Sequence, residues 1–265
     1  AFVLEACQHC YLENVNIQGG GDYAVKLDRT FKAKAEDVRV DNGHNGVLLH
    51  GATESILNDV SLRDMAGDYG VRIMGDTINR SYRTTVSNLR TDNPTNGNNA
   101  ITWLALDSYA YSLVIDKTAL LQGGTGFAMQ DTANTGDSYP VWTFAYDLEL
   151  DHNHKNSALL SGGEGFYATV SWFGSNFDGA CVHFAPTFRG EASITTSRVM
   201  GCANQGVLVE APDVILSANH IGDNSNSAPQ QYYDVELVGA GMNAILDANH
   251  VCDLVGADGY NSKAE

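Results

Sequence analysis

Three acidic side chains could carry acid/base chemistry, because each follows an apolar stretch in one of three consecutive repeats of the sequence. Asp107 follows AITWLAL, Asp131 follows GFAMQ and Glu164 follows SALLSGG. Two carboxyl groups on neighbouring repeats can divide the roles of general acid and of base or nucleophile, and separations of about 5–9.5 Å suit glycosidic-bond hydrolysis. We therefore take Glu164, Asp131 and Asp107 as candidate catalytic residues.

The same part of the chain is rich in aromatic side chains, and residues 103–172 contain all 3 tryptophans of the protein. Sugar rings present apolar C–H faces that pack on aromatic surfaces, so aromatic residues beside acids are typical of a carbohydrate groove. The alternative is that most of these aromatic side chains stack in the interior or at a subunit contact. The candidate substrate-binding residues are Trp103, Trp142, Tyr146, Tyr167 and Trp172.

An acidic strand lies in the same region. Asp147, Glu149 and Asp151 alternate with leucines, which places three carboxylates on one face of a strand, and His152 and His154 follow. Oxygen ligands of this kind suit Ca²⁺, but residues two apart on a strand lie about 6.8 Å apart, so one ion would need ligands from neighbouring repeats. We expect no metal and no other cofactor, except Ca²⁺ if the protein were a lyase.

A repeating element must position these residues. Each repeat begins with a short strand. A second short strand follows after a polar turn, as in GVLL at 46–49 and GVLV at 206–209, and a third, less regular strand closes the repeat. Three short strands cannot bury their apolar faces alone, so the repeats must stack. The pattern predicts an all-β protein, a parallel β-helix of about ten coils with a period of about 26 residues. The first strands begin at 14, 37, 59, 88, 118, 147, 172, 198, 220 and 250.

Polar residues recur at the start of these first strands. Asn14, Asp37 and Asp59 are examples in the early repeats, and Ser197, Asn219 and Asn249 occur one place earlier in the late ones. Asn, Asp and Ser side chains bond turn backbones, so we assign them to architecture rather than to chemistry. No linker-like segment divides the chain, which predicts a single domain over residues 1–265.

Composition narrows the function classes. Hydrophobic residues make up 43% of the chain and charged residues 18%, which favours a folded protein. The net charge of −17 argues against nucleic acid or an anionic membrane as a partner, since both attract clustered Lys and Arg. No apolar run approaches the ~20 residues of a membrane-spanning helix, so membrane insertion is not expected. We expect the 5 cysteines to be buried free thiols, with a Cys7–Cys10 disulfide as the alternative.

The coils of about residues 11–252 resemble the right-handed parallel β-helix of the pectate-lyase-like superfamily, and most of all the shaft of a bacteriophage tailspike or surface-polysaccharide depolymerase. The resemblance implies a homotrimer on the virion tail surface, with attachment and tip domains outside this sequence. Polygalacturonase-type relatives carry a Gly-His-Gly and an Arg-Ile-Lys motif. Here Gly43-His44-Asn45-Gly46 and Arg72-Ile73-Met74 depart from both, so that activity is not expected.

We therefore expect an extracellular protein that binds a bacterial surface glycan, O-antigen or capsule, and cleaves it by acid/base hydrolysis. Glu164 is the expected general acid and Asp131 the base or nucleophile, with Asp107 as substitute. A receptor-binding or structural tail fibre without turnover is one alternative. A secreted polysaccharide lyase, with Tyr146 or His152 as base, is the other.

Overall fold

The computed structural model describes residues 1–93, 99–134, 136–228, 231–239 and 243–252. Within those ranges every regular element is a β-strand, and no helix is long and apolar enough to cross a membrane. The strands are β1 (Phe2–Glu5), β2 (Tyr11–Gln18), β3 (Tyr23–Asp28), β4 (Lys34–Asp41), β5 (Asn45–His50), β6 (Ile56–Arg63), β7 (Tyr69–Met74), β8 (Ser81–Ser87), β9 (Arg90–Asp92), β10 (Thr102–Leu106), β11 (Ala110–Leu121), β12 (Thr125–Met129), β13 (Val141–Asp151), β14 (Ala158–Leu160), β15 (Glu164–Thr169), β16 (Trp172–Gly174), β17 (Val182–Phe184), β18 (Ala192–Thr195), β19 (Arg198–Met200), β20 (Val207–Val209), β21 (Val214–Ser217), β22 (His220–Gly222), β23 (Val235–Leu237), β24 (Ala244–Asp247) and β25 (His250–Cys252).

The strands form two long parallel sheets. Sheet A is 10-stranded, in the order β1-β3-β5-β7-β10-β12-β14-β17-β20-β23. Sheet B is 15-stranded, with a main path of β2-β4-β6-β8-β11-β13-β15-β18-β21-β24 and with β9, β16, β19, β22 and β25 beside it. Neighbouring strands lie one coil apart in sequence and pair in parallel, as Val47 does with Val71. The chain is therefore a parallel β-helix, which confirms the prediction from the repeats.

Each coil bends once within sheet B, which divides that sheet into two limbs. Limb B1 comprises residues 11–13, 34–36, 56–58, 81–87, 110–116, 141–146, 164–169, 192–195, 214–217 and 244–247. Limb B2 comprises residues 15–18, 38–41, 60–63, 90–92, 118–121, 148–151, 172–174, 198–200, 220–222 and 250–252. One residue with a φ of 47–56° marks each bend: Asn14, Asp37, Asp59, Asn88, Lys117, Asp147, Val170, Thr196, Ala218 and Ala248. Asn and Asp tolerate this left-handed conformation well, which explains their recurrence at the early bends.

In the late coils the residue after the bend points inward and forms a hydrogen-bonded ladder. The backbone N–H of Ser197 donates to Asn219 Oδ1 at 2.9 Å, and the N–H of Asn219 donates to Asn249 Oδ1 at 3.0 Å. The ladder satisfies backbone groups that the bend removes from the sheet. The architectural role predicted for these three residues is confirmed.

The core is the space enclosed by the two sheets. Val, Leu and Ile fill most of it, and Phe127 stacks on Phe166 in the next coil with ring centroids 5.6 Å apart. Each fully buried side chain of this size contributes about 1.5–3 kcal/mol. Because the filling is shared between coils, no coil could retain its shape without its neighbours.

The free-thiol expectation is wrong for four of the cysteines. Cys7 pairs with Cys10, which was the stated alternative, and Cys181 pairs with Cys202 across a Cα–Cα distance of 5.5 Å. The second pair joins the turns that lead from limb B2 to sheet A in adjacent coils. Stacking of the coils, rather than closeness in sequence, brings these two thiols within bonding distance.

Candidate functional site

Asp131 lies in the corner turn that leads from sheet A to limb B1. Its Oδ1 atom accepts hydrogen bonds from the hydroxyls of Ser108 and Ser138, at 2.8 and 2.7 Å, and from the backbone N–H of Asn134 at 3.1 Å. All three donors reach the same oxygen. The carboxylate is therefore held in one orientation, and none of these bonds occupies Oδ2.

Glu164 begins β15 at the same corner, one coil further along. The backbone of Gly162, two residues earlier, is so close to Asp131 that a Cβ atom there would lie 2.7 Å from the backbone nitrogen of Asp131. Glu164 pairs in register with Val141, and its backbone N–H donates to the carbonyl of Pro140 at 3.1 Å. The structure thus brings Asp131 and Glu164 to one corner in adjacent coils.

Asp107 occupies the equivalent corner one coil before Asp131, but its side chain is fully buried. Oδ2 forms an ion pair with Arg72 at 2.7 Å and accepts a hydrogen bond from Gln130 at 3.1 Å. Oδ1 accepts from the backbone N–H groups of Ser108 and Thr132, at 2.7 and 3.0 Å. Both oxygens are occupied, so Asp107 has no surface with which to contact a substrate.

The surroundings of Asp107 also determine its charge. Burial alone would raise the pKa of this carboxyl. The backbone hydrogen bonds from Ser108 and Thr132, together with the charge and hydrogen bonds of Arg72, outweigh burial and lower the pKa. Asp107 is therefore held ionised, which is unsuitable for a general acid and well suited to fixing two turns and a strand.

The outer face of limb B1 carries the aromatic part of the site. Phe144 and Tyr146 point outward and are 44% and 50% exposed. Phe144 stacks on Tyr167 of the next coil, with ring centroids 5.2 Å apart. These three rings line an open groove of about 710 Å³, with polar residues such as Thr169 and Ser193 at its far side. Its surface combines flat rings and hydroxyls.

Tyr167 links this groove to the acidic corner. Partial burial, followed by the negative charges of Glu191 and Glu164, raises the pKa of Tyr167. The hydroxyl therefore keeps its proton, and it donates a hydrogen bond to Glu191 Oε2 at 3.5 Å. Tyr167 therefore joins the groove to Glu191 and to the field of Glu164, although none of the acids of the corner lines the groove itself.

Trp142 stands at the same corner. It is 47% exposed and points outward as Phe144 and Tyr146 do, and its φ of 62° interrupts the pairing of β13 between Val141 and Thr143. The ring lies over Gly165, where any Cβ atom would collide with the indole, and Gly165 itself has a φ of 77°. Glycine is thus required there, and Trp142 is placed beside Glu164.

Two of the predicted substrate-binding tryptophans lie elsewhere. The substrate-binding role predicted for Trp103 is wrong, because its side chain is fully buried in the core. Its Nε1–H donates to the carbonyl of Leu121 at 2.7 Å. Trp172 lies on limb B2, around the bend from the groove, and donates to Asp151 Oδ1 at 3.3 Å. A tryptophan in a strand is inward or outward depending on register, and the apolar stretch before Asp107 gives no alternation from which to infer it.

The acidic strand ends in a local pair. Asp151 Oδ2 contacts His152 Nδ1 at 2.7 Å, and His154 packs against Phe177 instead. Among the described residues no three His, Cys, Asp or Glu side chains form a group that could hold a metal ion. A role for Ca²⁺ stays a prediction tied to the lyase alternative.

Sequence reasoning missed three residues of this surface. Glu191 and Phe144 share the corner and the groove with Glu164, as described above. Arg189 donates through its backbone to Gly163 at 2.8 Å, and its guanidinium lies 3.9 Å from the ring centroid of Tyr139. Counting residues in register from Tyr167 would have found Phe144, once the strand boundaries were known.

No protein-family model matches the chain, and no curated protein matches it in sequence. Solved structures do match. The periplasmic alginate epimerase AlgG aligns with a TM-score of 0.64 and 10% identity, covering 88% of this chain and 61% of AlgG. Endo-xylogalacturonan hydrolase from Aspergillus tubingensis aligns with a TM-score of 0.64 and 9% identity, covering 96% and 82%. The tailspike protein of E. coli bacteriophage HK620, in complex with a pentasaccharide, aligns with a TM-score of 0.62 and 8% identity, covering 91% and 48%.

The chain therefore spans about three fifths of AlgG and about half of the tailspike. At identities of 8–10% the likeness concerns the path of the backbone and not the side chains that act. The parallel sheets, the bend in every coil and these neighbours agree, and the chain has the pectate-lyase-like parallel β-helix fold.

Proposed function

We propose that the protein is an extracellular, polysaccharide-active β-helix that binds a glycan along the outer face of limb B1 and hydrolyses it. The observation that carries the proposal is the groove lined by the exposed rings of Phe144 and Tyr146 and by Tyr167, whose hydroxyl donates to Glu191 and feels the charge of Glu164 at the adjoining corner. Sugar rings pack on such rings, and carboxylates accept hydrogen bonds from sugar hydroxyls. Neighbours of the same fold that act on or bind saccharides support the choice of ligand.

In the proposed reaction, Glu164 donates a proton to the oxygen of the scissile bond, and Asp131 accepts one from the attacking water. Asp131 is suited to this role because its three hydrogen bonds hold Oδ1 and leave Oδ2 for the water. Asp107 acts at a distance, by holding the turns of Ser108 and Thr132 in place. Trp142 and Tyr167 flank Glu164 and would position the sugar ring.

More specifically, we propose that the chain is the shaft of a homotrimeric phage tailspike that attaches to O-antigen or capsule. A tailspike with bound pentasaccharide among the structural neighbours supports it. So does the ladder that continues from Phe144 and Tyr167 through Ser193 to Ile215 and Ile245, both exposed on limb B1. Exposed aliphatic side chains in a row are typical of a subunit contact.

The test measures binding and cleavage separately with a panel of capsular and O-antigen polysaccharides. Phe144→Ala and Tyr146→Ala should each weaken binding by about tenfold, equivalent to about 1.4 kcal/mol. Tyr11→Ala is the matched control, since Tyr11 is an exposed aromatic of limb B1 in another coil, outside the groove. Equal affinities for all four proteins would contradict the binding proposal.

Cleavage is followed by the appearance of new reducing ends. Glu164→Gln and Asp131→Asn should each lower the rate by about 10²–10⁴-fold, the usual contribution of general acid/base groups. Glu13→Gln, which changes an exposed carboxyl of limb B1 in another coil, should leave the rate unchanged. Unsaturated products would indicate a lyase instead of a hydrolase.

Binding without turnover is the second candidate function. Its specific support is that Asp131 already accepts three hydrogen bonds, as a residue that only shapes a turn would. Saturable binding with no reducing ends after long incubation would select this alternative.

A further inference from the structure

A second groove, of about 810 Å³, lies on the outer face of limb B2, around the bend from the proposed glycan site. Its floor is part of an outward ladder in which Ser61, Arg90, Ala119 and Glu149 follow one another in register, one coil apart. This groove shares no residue with the aromatic groove of limb B1. It is a separate surface of the same coils.

The short side chain of Ala119 makes a notch in the ladder. Coils lie about 4.8 Å apart, so the longer side chains of Arg90 and Glu149 flank an opening of roughly 9–10 Å. One wall thus ends in a guanidinium and the other in a carboxylate, with an apolar floor between them. A single sugar ring fits an opening of this size and polarity.

The charge of the groove is unusual for this protein. The chain has 15 Lys and Arg against 32 Asp and Glu, yet Arg63, Arg90 and Lys117 converge here. Within the part of the chain that the structure describes, Arg63 reaches Asp64 at 3.6 Å, whereas Arg90 and Lys117 form no ion pair. Two unpaired cations on an otherwise acidic protein form a local site for an anion.

We propose that this groove is a second saccharide site that takes a carboxylate-bearing sugar, a uronate unit of an acidic polysaccharide. Arg90 and Lys117 would bind the sugar carboxylate, because guanidinium and ammonium groups form charge-assisted hydrogen bonds with it. Glu149 and Asp147 on the opposite wall would accept hydrogen bonds from the sugar hydroxyls. The choice of a sugar rests on the proposed function, whereas the anion site rests on the groove alone.

The acidic wall distinguishes this ligand from a polyanion such as a nucleic acid. Asp147 and Glu149 form this wall, and Asp92, on β9 beside Arg90, brings the carboxylates that line the groove to the same number as its cations. A chain of phosphates would meet these carboxylates at every position, and like charges repel. A sugar with one carboxylate and several hydroxyls satisfies both walls.

The experiment titrates the whole chain calorimetrically with an oligogalacturonate of six units and with a neutral oligosaccharide of the same length. The wild type should bind the acidic ligand and bind the neutral one more weakly. Arg90→Gln, Lys117→Gln and Ala119→Tyr should each weaken the acidic interaction by about tenfold, the first two by removing a charge-assisted bond and the third by filling the notch. Tyr suits an outward strand position, so this variant should fold.

Arg198→Gln is the matched control, because Arg198 lies on the same ladder, three coils beyond Ala119 and outside the groove. It should bind as the wild type does. Unchanged affinity in Arg90→Gln and Ala119→Tyr, or equal binding of the neutral ligand, would overturn the proposal, as would displacement of the ligand by sulfate at the same ionic strength. Phe144→Ala in the same assay separates the two sites: if only this variant weakens binding, the limb B1 site stands and the limb B2 site fails, and the reverse result retains the limb B2 site.

Discussion

At the residue scale, Asp107 and Asp131 have similar sequence contexts but different surroundings in the structure. Asp107 and Asp131 both follow a strand of sheet A and both look like candidates for acid/base chemistry. The difference is Arg72, which reaches Asp107 from the previous coil, 35 residues earlier. Its guanidinium converts Asp107 into a buried ion pair, whereas Asp131 stays partly accessible.

Asp107→Asn should therefore destabilise the protein and lower activity only through loss of structure. Removing one partner of a buried ion pair costs about 3–5 kcal/mol, because the other charge is left uncompensated. Urea unfolding measures the change, with Asp178→Asn, an exposed acid, expected to shift the free energy of unfolding by less than about 0.5 kcal/mol. A loss as small as that of the control would contradict the structural role.

The same variant should change how the free energy of unfolding depends on pH. The pKa of Asp107 is lower in the folded chain than the value of about 3.9 for an unfolded aspartate. Its stabilisation is therefore fully present above about pH 4 and is lost as the pH falls towards the folded pKa. Between pH 5 and pH 2 the unfolding free energy of Asp107→Asn should fall less steeply than that of the wild type.

At the element scale, the strands follow from local pattern. Alternation of inward and outward residues identifies the first and second strands of each coil. The third strands of the first two coils, 11–13 and 34–36, are less evident, because they run into the next strand through a single left-handed residue. Asn14 and Asp37 mark these bends, but a bend of one residue is too short to divide the segment into two strands by pattern alone.

Asn219→Ala tests the ladder that holds the bends of the late coils. Asn219 accepts from the N–H of Ser197 and donates to the carbonyl of Ile194 at 2.8 Å, and its side chain is almost fully buried. Removing the amide leaves buried backbone groups unpaired, which should cost about 1–3 kcal/mol of unfolding free energy. Asn16→Ala, on the exposed face of limb B2, is the control and should be nearly neutral in thermal or urea unfolding.

At the scale of the whole molecule, stacking distributes one stretch of sequence over different surfaces. Residues 103–172 are continuous in the chain, yet they supply Trp103 to the core, Tyr146 to limb B1 and Trp172 to limb B2. Conversely, Phe144 and Ile245 are 101 residues apart in the chain and share one ladder. Each outer surface of a β-helix consists of ladders that run along its axis, with one residue from each coil.

The proposed homotrimer makes a prediction at this scale. Light scattering should give a mass three times that of one chain, and Ile215→Lys combined with Ile245→Lys should reduce it to one, because buried charges oppose association. Ile78→Lys is the control, since Ile78 is highly exposed but lies outside limb B1. A wild-type mass equal to one chain would contradict the trimer.

The amino-acid sequence by itself determined the coil: its period, its strands and the polar residues of its bends. These features depend on contacts within a coil or on one step of a repeat, and they leave a periodic signature. Only the tertiary structure decided which acids and aromatic residues share a surface, that Asp107 and Trp103 are buried, and that Cys181 meets Cys202. Those outcomes depend on register between coils, where a shift of a single residue exchanges inward and outward faces and no local pattern records it.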